Sequence, residues 1–269
     1  MLRLEDLNQL RREKWHLSGT PVRTLEDARG FIDSVGFCLM FPLVSPLLLP
    51  TFVGAWSGTA EGLPTRRQAY SDPRAKPATE LMVRLLRDRS AYEANLFEEN
   101  NAFLVSASVF PYLYALVGER NPRQAPKPGP RSPYSQLACD AYEVIHRRGP
   151  VSRLRLLEEL GRGISVPALD KALAELWSKL RITRVDYDER EGASWDVLYR
   201  WAPQAVAEGV NSSVNALLSA LISKYLDCVI AADQQEVESF LGSFVARSRV
   251  REALNALLGA RELSFVAVG

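Results

Sequence analysis

Catalysis near neutral pH draws on histidines, thiols, base-assisted hydroxyls or paired carboxylates, and this sequence is thinly supplied with them. It holds 2 histidines, His16 and His146, and 3 cysteines, Cys38, Cys139 and Cys228, in 269 residues. No HExxH helix, GxSxG elbow, glycine-rich phosphate loop or tight carboxylate pair occurs. The cysteines form no CxxC pair, so local spacing assembles no zinc quartet, and neither metal nor cofactor is expected. His146 stands in His-Arg-Arg at a helix end, where a cation suits the negative pole of the dipole. His16 follows Trp15 and a basic run and reads as a surface residue. Cys139 and Cys228 fall on apolar helices as core filling.

The chemistry the sequence does offer is phosphate binding by arginine and lysine. Lys+Arg total 33 against 32 Asp+Glu, a formal net charge of +1. That balance argues against a wholly basic nucleic-acid binder, yet it is a cancellation. Residues 62–90 carry +4, residues 118–155 carry +5 and residues 247–261 carry +3. The first island offers Arg66, Arg67, Arg74 and Lys76. The second combines Arg120, Arg123, Lys127 and Arg131 with Arg147, Arg148, Arg153 and Arg155. The third offers Arg247, Arg249 and Arg251, with Asn255 one turn further on.

Composition bounds what can carry these groups. With 47% apolar and 24% charged residues, the chain is neither disordered nor fibrous, and its length suits one large domain or two to three small ones. The sparse, odd cysteine count fits a reducing cytoplasm, and the early acids of the N-terminal segment argue against a secretory signal. Between Asp33 and Glu61 no charge occurs, but Pro42, Pro46 and Pro50 would break a spanning helix three times. Phe41 to Trp56 therefore reads as an apolar loop pinned into the core, and no membrane role is expected. Nothing in the sequence specifies an oligomer.

The pattern predicts four segments: 1–117, a proline-rich linker at 118–133, 134–203 and 204–269. In the third segment a helix runs from Tyr134 to Arg148 and stops at Gly149-Pro150. Ser152 caps a second helix and Ser165 a third, with Pro167 in its first turn. Ile182 to Tyr187 alternates as a strand, and Trp195 to Trp201 returns. Three helices and a hairpin are the order of a winged helix-turn-helix. The last segment repeats it, with helices at Val214–Ala232 and Gln234–Phe244, a third capped by Ser248, and a strand at Leu263–Val268. An offset of 81 places Leu169 on Val250, Leu173 on Leu254, Leu176 on Leu257 and Ile182 on Leu263. At the first helix the offset is 85, Val144 falling on Val229.

A degenerate third copy precedes the linker. Leu4–Trp15, Leu25–Val35 (capped by Thr24) and a helix starting at Thr79 lead to a hairpin of Tyr92–Phe97 and Ala102–Ser106 around Glu98-Glu99-Asn100-Asn101. Phe110–Val117 closes it. The fold class expected is mainly α with small β-hairpins, in tandem winged helices.

In such modules the third helix enters the major groove and its early residues meet bases or phosphates, the place held by Arg249, Arg251 and Asn255. The middle module is a poorer reader. Its third helix mixes Lys171 and Lys179 with Asp170 and Glu175. Its wing turn, Asp186 to Glu191, sets four acids against Arg190. A wing that acidic repels phosphate and is expected to pack on protein or face water.

Three such units in one chain resemble the AlkZ/YcaQ-type DNA glycosylases, which excise alkylated or crosslinked bases. Phe103-Leu-Val-Ser-Ala-Ser-Val-Phe-Pro-Tyr-Leu-Tyr-Ala-Leu116 is similar to the family's segment in which a Leu-Val-Ser run enters an aromatic helix. Phe31-Ile-Asp-Ser-Val-Gly-Phe-Cys38 is similar to its N-terminal helix leading to the catalytic motif. That motif, glutamine, any residue, then glutamine or aspartate, falls here on Cys38, Leu39 and Met40. A thioether accepts poorly from water and a buried thiol is a poor base. The resemblance implies double-stranded DNA as partner, on a scaffold without the family's water-positioning groups. A second expectation is an active glycosylase using Glu61, Asp72 or Glu80. A third is a protein-docking module, since fold alone does not give function.

Overall fold

A computed structural model describes residues 2–44, 47–97, 102–161 and 163–269. The expected hairpin turn Glu98–Asn101 and Pro46 lie outside the described residues. The chain is mainly helical with two small antiparallel sheets. The first part runs α1 (Leu4–Lys14), α2 (Leu25–Val35), β1 (Phe37–Leu39), α3 (Phe52–Ser57), a 3-10 turn (Arg66–Gln68), α4 (Ala75–Arg87), β2 (Ala91–Ala94), β3 (Phe103–Ser106) and α5 (Phe110–Val117). Thr24 caps α2 with its hydroxyl while Asp27 reaches back to the Thr24 N–H, a reciprocal capping box. The segment Phe41 to Trp56, expected as a loop, is helical at its end, where the Thr51 side chain caps α3. Phe52, Val53 and Ala55 of that helix are fully buried.

A further expectation is corrected here. Thr79 does not begin α4, because the Asp72 carboxylate accepts the N–H groups of Arg74 and Ala75 at 2.7 and 3.3 Å and starts the helix earlier. Pro77 then sits in the first turn, where no helix donor is lost, and Thr79 is buried with its hydroxyl on the Ala75 carbonyl at 2.8 Å. β1 was not legible at all. Phe-Cys-Leu is buried on both faces and so shows no alternation.

The middle part runs α6 (Gln136–Arg148), β4 (Val151–Ser152), α7 (Arg153–Leu160), α8 (Val166–Trp177), β5 (Ile182–Asp188), β6 (Gly192–Val197) and α9 (Leu198–Trp201). Ser135, Ser152 and Ser165 each cap the helix that follows. The returning strand ends at Val197, not Trp201, since Leu198 turns into α9. At the end of α6 the carbonyls of Ile145 and His146 are capped by Arg200, at 2.9 and 2.8 Å, rather than by the imidazole. The His146 ring instead stacks on Tyr142.

The two sheets share one plan. Their strand orders are β1-β3-β2 and β4-β6-β5, so in each the short first strand pairs with the last. Cys38 faces Leu104, and Leu104 faces Glu93. In the second sheet the register slips between Arg184 and Asp186, leaving Val185 as a bulge.

The last part holds α10 (Pro203–Asn211), α11 (Val214–Val229), α12 (Gln234–Leu241) and α13 (Arg247–Gly259). Val250, Leu254 and Leu257 are buried along α13 as Leu169, Leu173 and Leu176 are along α8, the spacing the offset of 81 requires. The repeat stops there. α13 begins at Arg247, ahead of the expected Ser248 cap, and no hairpin follows it. Leu263–Ala267 forms no strand, and Val268 makes only an isolated parallel bridge to Leu2. A single segment with one short neighbour cannot complete a ladder. Among the described residues no single helix is long and apolar enough to cross a membrane.

The cores do not follow three separate modules. One apolar cluster runs through the first part and the four C-terminal helices, while a second serves the middle part from Tyr134 to Val197. The joint of the first cluster is aromatic. Phe240 of α12 stacks on Tyr225 of α11 at 4.6 Å and on Phe37 of β1 at 5.0 Å, with Phe103 of β3 at 6.0 Å. Gly209 lets α10 press onto α5, for a Cβ there would meet the Pro111 carbonyl at 2.9 Å.

Candidate nucleic-acid interface

Where the middle part leans on the first, a cleft of about 390 Å³ opens, the size of a small-molecule site. Met40, Phe41, Arg66, Tyr70, Met82 and Glu93 line it from one side, and Arg153, Asp170, Trp177, Arg184, Tyr187 and Trp195 from the other. Its walls are therefore aromatic and sulfurous, with a few charges set among them.

Glu93 is the centre of the junction. It stands alone as a charge in the Ala-Tyr-Glu-Ala strand β2 and is 1% exposed. Arg184 of β5 grips its carboxylate, Nε to Oε2 at 2.6 Å and Nη2 to Oε1 at 2.8 Å. The Glu93 carbonyl also accepts the Trp177 indole at 3.0 Å and the Thr183 hydroxyl at 3.1 Å. Burial pushes the Glu93 carboxyl up, and the Arg184 guanidinium opposes that shift. Beside it the rings of Tyr70 and Tyr187 stack at 4.7 Å across the two parts. The buried Trp195 indole N–H has no partner among the described residues, an orphan donor on the cleft wall.

The sequence-expected contacts divide into two groups. Arg66 is on the cleft wall and Arg67 is exposed beside it in the 3-10 turn. Arg74 leans on Asp72 at 3.4 Å, and Lys76 reaches Glu189 of the opposite wing at 3.2 Å. The others sit on α13, and none of Arg247, Arg249, Arg251 and Asn255 lines the cleft. Arg247, Arg249 and Asn255 are exposed. Arg249 donates to Asn215 Oδ1 at 2.9 Å, and Arg251 holds the Glu238 carboxylate at 2.7 and 2.9 Å. The proposed acids also fall outside the cleft: Glu61 and Glu80 are exposed, and Asp72 is spent capping α4.

The residues that the resemblance places on the catalytic motif are unequal in position. Cys38 is fully buried, and burial pushes its thiol well up. Met40 lines the cleft on the same side as Glu93. Among the described residues no group of three or more His, Cys, Asp or Glu is placed to hold a metal ion. The residues missed in the sequence are Glu93, Arg184, Tyr70 and Tyr187. The one legible signal for them was a lone carboxylate in an apolar strand.

The chain belongs to the AlkZ-like DNA glycosylase family, whose model matches residues 71–269. Among solved structures it is similar to the Streptomyces sahachiroi DNA glycosylase AlkZ, with a TM-score of 0.59 and 12% identity. That match covers 96% of this chain and 66% of the other, so the chain spans about two thirds of that protein. Comparison with curated protein sequences gives no match.

Proposed function

We propose that this protein binds duplex DNA as a divergent member of its family that lacks the usual water-positioning chemistry. The observation that carries the reading is the pair Cys38 and Met40 at the motif's two polar places. One is a sealed thiol and the other a thioether on the cleft wall, and neither orders an attacking water. In this reading 134–203 is a winged helix, supported by its helix-strand-helix-helix-hairpin order and its β4-β6-β5 sheet. The order α2, β1, α3, α4, β2, β3 supports the same description for the first segment, with 118–133 as connection and 204–269 as a helical relic of a further module. Phosphate contacts come from Arg66, Arg67 and Lys76 near the cleft and from Arg247 and Arg249 on α13.

A second reading, an active glycosylase, is favoured by one observation: Glu93 puts a carboxylate in the cleft beside Met40. The deciding experiment incubates the protein with alkylated and crosslinked duplexes and scores abasic sites, alongside binding at two salt concentrations. DNA affinity that falls steeply with salt, with no base released, is the expected result. Base release by the wild type that Glu93→Gln abolishes establishes the second reading. Absence of salt-dependent binding removes both and leaves a protein-docking role.

A further inference from the structure

We propose that the acidic wing of the middle part occupies the first basic island as an intramolecular substitute for DNA phosphates. This inference rests on the reading of the chain as a DNA binder. The wing is β5, β6 and the turn between them, and its tip, residues 186–191, carries Asp186 and Asp188 at the end of β5 and Glu189 and Glu191 in the turn. The structure shows where this charge goes. Asp186 meets Arg87 at 2.6 Å and Glu189 meets Lys76 at 3.2 Å, both bases lying on α4. Tyr187, between those acids, stacks on Tyr70 just beyond the turn that carries Arg66 and Arg67. The wing therefore sets two of its four carboxylates against two of the bases that residues 62–90 carry, Lys76 and Arg87.

The attachment has a buried root and an exposed tip, with the Tyr70–Tyr187 stack between them. At the root, Arg184 is clamped on the buried Glu93 and Thr183 on the Glu93 carbonyl. The bulge at Val185 follows, where the ladder is interrupted and the strand re-aimed. Beyond it the two ion pairs are solvent-exposed, with Glu189 at 70% and Arg87 at 56% side-chain exposure. Exposed pairs of this kind contribute little, and salt or a competing polyanion displaces them. A duplex offers Lys76 and Arg87 a denser row of anions than the wing does. DNA on this surface thus requires the tip beyond Val185 to lift while the root stays fixed. The acidity of the tip sets a threshold that weak, non-specific contact does not cross.

The test compares Asp186→Asn/Glu189→Gln with wild type and with Glu5→Gln/Glu208→Gln, which removes the same charge from two exposed acids elsewhere. Binding to a short unmodified duplex is titrated across salt, and circular dichroism verifies that all three are folded. The wing variant is expected to bind at least threefold more tightly than the charge-matched control. In wild type, amide hydrogen exchange in the wing tip, residues 186–191, is expected to speed up on adding duplex. Equal affinity of wing variant and control, or tip amides that DNA slows, overturns the inference while leaving DNA binding intact. Absence of binding by all three proteins at low salt overturns the DNA-binding reading and this inference with it.

Discussion

Arg184 and Glu93 form a two-pronged ion pair across the boundary of two separate cores, with the carboxylate 1% exposed. The geometry is that of a fork on a fork, the arrangement for which arginine is suited and lysine is not. Because the carboxylate is out of water, the pair is far more costly to break on one side than to replace on both. Arg184→Ala is expected to destabilise the fold by about 3–5 kcal/mol, since it strands a buried charge. Arg184→Met with Glu93→Gln should lose markedly less, and urea unfolding of the single and double variants checks the ordering. A double variant as unstable as Arg184→Ala would show that the pair is not coupled.

A second buried arginine governs the proline-rich connection. Arg181 is 3% exposed and donates to Glu119 Oε2 at 3.0 Å, to the Asn121 carbonyl at 3.4 Å and to the Gln124 carbonyl. Its guanidinium also lies over the Tyr142 ring at 5.1 Å. The connection, extended by its prolines, is therefore tied to the middle core through Arg181, and the Tyr134 hydroxyl adds a bond to Glu119. Arg181→Leu is expected to accelerate tryptic cleavage after Arg123, Lys127 or Arg131 by about tenfold, as an opening penalty of about 1.4 kcal/mol is removed. Unchanged cleavage kinetics in a folded variant would show that the prolines alone hold the segment.

Local signals were legible because they are read within one turn of chain. Thr24, Ser152 and Ser165 cap the helices they precede, and the stripe from Leu169 to Leu176 lies in a core. The acidic hairpin was expected to pack on protein or face water, and its strand β5 packs on α4 while Glu189 at its tip is exposed. What the chain order hides is pairing between distant parts. Glu93 and Arg184 are 91 residues apart, and each by itself looks like an ordinary charge on a strand. The joint of Phe37, Tyr225 and Phe240 likewise fuses the first and last parts, which the repeat pattern alone presents as independent beads. Leu263–Val268 shows the opposite error, for its apolar residues read as a strand, but among the described residues only Val268 pairs, in an isolated bridge to Leu2.

On α13 the structure separates two roles that the sequence merges. Arg251 forms an ion pair with the buried Glu238, whereas Arg249 makes only a neutral hydrogen bond to Asn215 and Arg247 stands exposed at the start of the helix. Reversing Arg251 would place two carboxylates together and confound binding with stability. Arg247→Glu with Arg249→Glu is therefore the cleaner variant. It is expected to weaken duplex binding at low salt more than tenfold and to reduce the salt slope by about two, one for each lost phosphate contact. An unchanged dissociation constant would remove α13 from the DNA surface.

The Glu238–Arg251 pair makes a prediction about acid. Arg251, with Gln234 adding a further hydrogen bond at 2.7 Å, holds the Glu238 carboxyl down to about 2. In an unfolded chain the same group titrates at about 4.3. A carboxyl whose pKa falls on folding binds fewer protons folded than unfolded. Its contribution is thus complete above about pH 4.3 and disappears as pH drops toward 2. That contribution fastens α12 to α13 at the edge of the aromatic joint. The melting temperature of wild type should fall more steeply between pH 5 and pH 3 than that of Glu238→Gln, which has no carboxyl to protonate there. Parallel pH profiles for the two proteins would show that the pair adds nothing to the docking of α13.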